Sequence, residues 1–240
     1  MYPILLTLLL AAPPADPTSP GLALAPDAQW AAVAACVRVV IPGEGGAAAE
    51  SVAAGVCVGY KDGLAYILTA ESAVPPRGAR AVEFFTRESY PKPVRAVVLD
   101  DRDVGAPFDA AGVALVRAVV GPDPVPVARV AGPGQRPKKF SFPAVSVGCP
   151  AGGAPVCRGV KVEGKKLFRR ADVGPAFLWD TADPPAGAIG GPLLDGTGRV
   201  VGMCVGTGGG RAAFVHADEL VAGLKRAGYG WLTDPPVEAK

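Results

Sequence analysis

The sequence predicts an all-β protein: two antiparallel barrels or sandwiches, closed by one helix. Three observations carry this expectation. Short runs of β-branched and aromatic residues, bounded by Gly, Pro or Asp, recur in two sets of about six. A proline-rich connection separates the sets, and one amphipathic helix follows the second. Gly (32) and Pro (26) are abundant among 240 residues, which favours short strands and many turns over long helices.

The elements follow in order. Asp27 to Ala35 reads as a short helix, with Asp27 as its cap and Trp30 turned inward. Strand-like runs then span Cys36–Ile41, Val52–Tyr60, Leu64–Thr69, Ala81–Thr86, Val94–Leu99 and Val113–Arg117. Lys61-Asp-Gly63 closes the second of these. Gly121-Pro-Asp-Pro-Val-Pro126 cannot lie in a central strand, because proline donates no ladder hydrogen bond. The second half repeats the rhythm at Ala144–Cys149, Val156–Val162, Lys166–Arg170, Ala176–Asp180, Pro192–Leu194, Arg199–Val205 and Ala212–Val215. Asp195-Gly-Thr-Gly198 is a hairpin turn between two apolar strands. Ala217–Arg226 places Leu220, Val221 and Leu224 on one helical face and ends in Lys225 and Arg226, which suits the negative end of the helix dipole.

Composition excludes several functions. Half the residues are hydrophobic and 19% are charged, so a disordered chain is excluded. The length allows one large domain or two small ones. Lys plus Arg (24) barely exceeds Asp plus Glu (22), a balance foreign to a dedicated nucleic-acid binder. His216 is the single histidine and Asn is absent, which excludes a multi-His metal site, a Cys-His-Asn triad and N-glycosylation. No cofactor or metal is expected. Residues Ile4 to Ala12 form an apolar run too short to span a bilayer, and no later segment approaches that length. The run fits the core of a signal peptide and predicts export, periplasmic or extracellular. Ala15 to Pro26 reads as a linker.

The five cysteines are Cys36, Cys57, Cys149, Cys157 and Cys204. Cys149 and Cys157 flank a short loop and can face each other across a hairpin as a disulfide; Cys36 and Cys57 lie on adjacent strands. The alternative for all five is a small buried hydrophobe. Cys57 and Cys204 lie mid-strand without a neighbouring base, against a nucleophilic role.

Three blocks carry a resemblance. Gly187-Ala-Ile-Gly-Gly-Pro-Leu-Leu194, with the following Asp195-Gly-Thr-Gly-Arg-Val-Val-Gly202, resembles the nucleophile loop and hairpin of trypsin-like serine proteases. Tyr66-Ile-Leu-Thr-Ala70 resembles the strand leading to that family's histidine, and Gly112-Val-Ala-Leu-Val116 the strand carrying its aspartate. Order and spacing also match, over roughly residues 30 to 228. The resemblance implies a double β-barrel of bacterial type: barrel one at about 35–118, barrel two at about 128–215, the helix at 217–226. The domain would span 28–230, preceded by a signal peptide (1–15) and a linker (16–27), and followed by a tail (231–240).

The resemblance places the family's His at Ser72, its Asp at Gly112 and its Ser at Ile189. All three triad members are therefore replaced. A serine hydroxyl attacks only when an imidazole takes its proton and a carboxylate orients that ring. Ile189 offers no nucleophile, Ser72 no base and Gly112 no carboxylate. An oxyanion hole needs only backbone N–H groups, which the resemblance places at Gly187 and Ile189. Asp109 lies three residues before Gly112, and Asp183 six before Ile189, near the family's specificity pocket, where it can attract a basic side chain or stay solvated. His216 is expected away from the cleft, hydrogen-bonded at the start of the last helix. Arg158, Lys161, Lys165, Lys166, Arg169 and Arg170 form either a solvated hairpin or a basic patch for an anionic partner. Three functions fit: an inactive homologue that binds protein or peptide, an active serine endopeptidase with a different triad, and a barrel pair kept for partner display. No nucleic acid and no membrane span are expected; the oligomeric state is open.

Overall fold

The computed structural model describes residues 25–41, 51–74, 81–99, 112–170 and 174–233. The expected signal peptide, Asp109 and most of the expected linker lie outside these residues. The fold is the predicted one: two closed six-stranded antiparallel barrels and a C-terminal helix.

Barrel one contains β1 (Cys36–Ile41), β2 (Ser51–Lys61), β3 (Leu64–Ala70), β4 (Ala81–Phe84), β5 (Val94–Val98) and β6 (Val113–Val119). They close in the order β1-β2-β3-β6-β5-β4. Barrel two contains β7 (Phe142–Gly148), β8 (Val156–Arg170), β9 (Gly174–Ala182), β10 (Pro192–Leu194), β11 (Val200–Gly208) and β12 (Arg211–His216). They close in the order β10-β11-β12-β9-β8-β7. Closure leaves no free sheet edge.

The near-continuous apolar runs of barrel one have a packing reason. Along β3, Ala65 and Ile67 join Val37, Val39, Val82 and Val116 inside barrel one. The alternate residues Tyr66 and Leu68 join Leu193, Met203 and Val145 in the core shared with barrel two. These strands are buried on both faces, so polar alternation is absent. The connection at 121–126 is tied back to barrel one by the Tyr60 hydroxyl, which donates to the carbonyls of Gly121 (3.0 Å) and Pro122 (2.7 Å).

Four local expectations are corrected. The runs at Val156–Val162 and Lys166–Arg170 are one strand, β8, because a bulge between Val162 and Gly164 carries the chain through in register with β9. The first helix, α1, spans Pro26–Ala35 and begins at Ala25 with proline in its first turn; Asp27 is not the cap but ion-pairs with Arg87 at 2.8 Å. The residues 231–233 are not a loose tail. Gly230–Leu232 form a 3₁₀ turn that buries Leu232 and sets Trp231 edge-on to Tyr66 at 4.9 Å.

The fourth concerns the cysteines, all five of which are free thiols. Cys157 pairs with Val147 in the β7–β8 ladder, two residues short of Cys149, so Cys149 and Cys157 do not face each other across the hairpin. Likewise Cys36 stands opposite Val56, not Cys57. Burial pushes the thiols of Cys57, Cys149, Cys157 and Cys204 up to about 12. They behave as small hydrophobes, the alternative stated above.

The last helix, α2, is Ala217–Arg226 and buries Leu220, Val221 and Leu224 as the pattern required.

Candidate functional site

The site lies between the barrels, where the loop before β10 meets β2 and β3. Four hydrogen bonds fix that loop. The Ala54 N–H donates to Ile189 O at 3.0 Å, joining barrel one to barrel two. The Gly190 N–H donates to Cys204 O at 2.8 Å, and the Gly191 N–H to Ala188 O at 2.8 Å. The Cys149 N–H donates to Gly187 O at 3.1 Å. Glycine is required at two of these positions. Gly187 has φ +66° and a Cβ there would lie 2.2 Å from Cys149 O. Gly190 has φ +81° and a Cβ would lie 2.1 Å from Ala54 O. Positive φ and close backbone approach are both open to glycine alone.

Of the three positions assigned by resemblance, Ile189 lies on this loop, and Ser72 and Gly112 lie beside each other at the ends of β3 and β6. Ser72 is exposed, on a 3₁₀ turn (Glu71–Ala73) directly after β3. Gly112, at φ +85°, precedes β6, and its carbonyl accepts from the Glu71 N–H at 2.7 Å, which holds it beside that turn. Thr69, fully buried at the end of β3, donates its hydroxyl to Ala54 O at 2.7 Å. A Cβ on Gly190, next to Ile189, would lie 2.6 Å from the Thr69 hydroxyl. Ile189 is 36% exposed.

Beside Ile189 opens a pocket of about 400 Å³. Val52, Ala186 to Ile189, Asp183, Thr207, Gly208 and Arg211 are among its lining residues. Gly187 and Ile189, the oxyanion-hole positions by resemblance, both lie on its wall, and among the described residues neither N–H donates to a main-chain carbonyl. The side chain of Ile189 lines the pocket without filling it.

Charge in the pocket is unevenly matched. Arg211 donates to Asp180 through Nε (3.0 Å) and Nη2 (2.6 Å), and to Glu163 at 2.7 Å. These bonds raise the guanidinium above its ordinary range, and with Lys166 they hold the Asp180 carboxyl below its own. Arg211 is thus neutralised on the spot. Asp183 is held only by its backbone, whose N–H donates to Gly210 O at 2.9 Å. Among the described residues its carboxylate has no cationic partner, so it can meet a basic group.

His216 lies elsewhere, as expected. It caps α2: Nδ1 accepts from the Asp218 N–H at 3.0 Å. Its ring packs on Trp179 at 4.5 Å between centroids. Burial pushes its pKa down to about 3, with the charges of Lys165 and Arg136 adding to the effect. It cannot serve the cleft as a base. It does make stability pH-dependent. The unfolded ring takes its proton near 6.5 and the folded ring only near 3, so between these values the unfolded chain binds more protons. Stability is full above about 6.5 and falls as pH drops. Urea unfolding is expected to show about 1–2 kcal/mol lost between pH 7 and pH 5 from this group, after allowing for screening by Asp218 and solvent. His216→Asn keeps a cap acceptor and should flatten that slope; an unchanged slope would assign the effect to other groups.

Lys165 and Lys166, adjacent on β8, point to opposite faces of the sheet, so the basic residues with described side chains do not share one face. Lys165 is mostly buried and Lys166 pairs with Asp180, while the side chains of Arg169 and Arg170 lie outside the described residues. Among the described residues no His, Cys, Asp and Glu cluster fits a metal ion, and no helix is long and apolar enough to cross a membrane.

Similarity to known proteins agrees with the fold. The Rv3671c protease of M. tuberculosis, in its active form, superposes with a TM-score of 0.64 at 18% identity, covering 95% of this chain and 94% of that one. Deg5 gives 0.59 at 16% identity, over 82% of this chain and 90% of that one. The MamO protease domain from Magnetospirillum magneticum gives 0.55 at 21% identity, over 80% and 96%. At these identities the likeness is one of fold. No curated protein sequence matches the chain. Residues 53–203 match the family described as the trypsin-like peptidase domain, a span that includes the three positions assigned by resemblance, the loop glycines and the pocket wall from Asp183 to Ile189: the chain belongs to the trypsin-like peptidase family.

Proposed function

We propose that this chain is a non-hydrolytic member of its family, of bacterial type, which binds a peptide segment in the cleft. The observation that carries the reading is the open pocket of about 400 Å³ beside Ile189. Its size suits one side chain and adjoining backbone. The hydrolytic parts assigned by resemblance are absent from its rim. Ser72 has no imidazole to take a proton, Gly112 no carboxylate to orient one, and Ile189 no hydroxyl to attack. The backbone donors need no particular side chain, so Gly187 and Ile189 can still receive a peptide carbonyl. Asp183 favours a basic side chain in the pocket. An open pocket favours binding over a barrel pair kept for partner display alone. An active endopeptidase is the competing reading, and it requires a nucleophile that a fluorophosphonate would label. Export, expected from residues 1–15, belongs to the same proposal.

Gly208 offers a clean block. It lines the pocket, its backbone is ordinary, and a Cβ there meets nothing within 4 Å. Peptides selected on the full chain from a random library are expected to carry a Lys or Arg anchor. Gly208→Phe should weaken them at least about tenfold, the loss of roughly one buried side-chain contact, with Tm unchanged. Selected peptides that bind Gly208→Phe equally well would place binding outside the cleft and sink the proposal.

A further inference from the structure

A second cavity, of about 290 Å³, lies at the start of α2 and shares no lining residue with the cleft pocket. Two segments build its charged side. Arg136, Lys138 and Lys139 come from the loop before β7, and Lys165 from β8. Arg136 and Lys165 are mostly withdrawn from solvent, with side chains 18% and 20% exposed. One carboxylate answers both: Asp218 contacts the Arg136 guanidinium and lies 3.8 Å from Lys165 Nζ. Glu219, the next acid, is engaged by the Phe177 N–H at 3.2 Å. Among the described residues Lys138 and Lys139 have no acidic partner. Four cations therefore line a cavity with one carboxylate in its wall, and Glu219, whose charge reaches Lys165 from outside that wall, leaves a cationic surplus. Arg136 and Lys165 repel each other where solvent screens them poorly, the exposed Lys138 and Lys139 add charge at the rim, and a bound anion would relieve the repulsion.

The remaining wall is ordered and aromatic. Lys165 Nζ sits 4.1 Å from the centre of the Phe177 ring, which fixes the ammonium. The Trp179 indole donates to Val201 O at 3.0 Å and meets Phe142 edge-on. His216, 4% exposed, also lines the cavity. With its Nδ1 accepting from Asp218, the neutral ring carries its proton on Nε2, an additional neutral donor. Phe140, 70% exposed, offers a bare ring at the rim.

We infer that this cavity is a second ligand site, for a small phosphomonoester whose phosphate meets Arg136, Lys138, Lys139 and Lys165 and whose ring or short apolar group rests on Phe140. A phosphate dianion matches the surplus better than a carboxylate, since it carries more charge and three acceptor oxygens for the guanidinium fork and the ammonium groups. A concave cavity of this volume takes a head group, not a polymer. The inference does not depend on the cleft reading.

The test uses the full chain and phenyl phosphate as the probe, with phenol as the uncharged control. His216 is the only histidine, so its imidazole NMR signals report on this cavity without ambiguity. Phenyl phosphate is expected to shift those signals saturably and to bind one per chain by calorimetry, more weakly as salt rises; phenol should do neither. The exposed pair Lys138→Ala with Lys139→Ala should lower the affinity at least about tenfold, a typical cost of losing charge-assisted hydrogen bonds. Lys161→Ala, exposed on β8 outside the cavity, should leave it unchanged. A parallel arm uses phosphatidic acid vesicles against phosphatidylcholine vesicles. Binding of both soluble and vesicle-borne phosphate makes a lipid head group a source of the ligand, while soluble binding alone confines the source to free phosphomonoesters. No saturable shift with phenyl phosphate, or equal affinity in the double variant, overturns the inference.

Discussion

Gly190→Ala is expected to destabilise the protein by at least about 3 kcal/mol, which for a domain of this size lowers Tm by roughly 6–12 °C. Two costs combine. At φ +81° an L residue is strained by about 1–2 kcal/mol. The new methyl would also lie 2.1 Å from Ala54 O and 2.6 Å from the Thr69 hydroxyl. The first contact is backbone in the middle of β2, which cannot swing aside, so the loop must lift off barrel one. That movement breaks the Ala54 N–H to Ile189 O bond and uncovers the ends of β2 and β3 that the loop packs on, while the Thr69 hydroxyl keeps its bond to Ala54 O within barrel one. Gly198→Ala isolates the first cost. It has φ +79° but nothing within 4 Å of the added methyl, and should lose only about 1–2 kcal/mol. Urea melts of both variants check the pair. Equal losses would mean that the contact between barrels is not what requires glycine at position 190.

The same residues show what the sequence disclosed and what it withheld. Strand positions were legible because barrel strands repeat apolar runs between turn residues, and the hairpin at Asp195–Gly198 formed as its residues require: Asp195 Oδ1 accepts from the Thr197 N–H at 2.8 Å and the Arg199 N–H at 3.1 Å. The β8 bulge was not legible, since Gly164 reads as a break in a chain viewed one strand at a time. Asp27 had the right chemistry for a cap but sits one residue inside a helix that Pro26 had already started. The bridge between Cys149 and Cys157 depended on a register that loop length does not set. The cleft was legible through its glycines, because backbone approach leaves a mark on residue type. The second cavity left none. Its cations come from two segments nearly thirty residues apart, and its histidine faces it only because α2 begins there.

The second large effect is chemical. Ser72→His, Gly112→Asp and Ile189→Ser together supply, at the positions assigned by resemblance, the three side chains that the family's mechanism requires. The exposed 3₁₀ turn at Ser72 has room for an imidazole. Gly112 is already tied to that turn through Glu71, although its φ of +85° will strain an aspartate and limit how well the ring is oriented. The new hydroxyl would stand where the backbone N–H groups of positions 187 and 189 meet the pocket. Hydrolysis of an activated ester is expected to rise at least about 10²-fold over the unaltered chain, well short of the roughly 10⁶-fold that an intact triad supplies in an optimised protease. Each single replacement alone should give little, because the three groups act as a unit.

Fluorophosphonate labelling of the purified unaltered chain beside this triple variant, with casein cleavage followed in parallel, decides whether the unaltered chain holds an activated nucleophile. The unaltered chain is expected to take no label and cleave nothing, and the variant to take label only at position 189. Stoichiometric labelling of the unaltered chain, mapped by mass spectrometry to any of its own residues and accompanied by cleavage, would contradict that expectation.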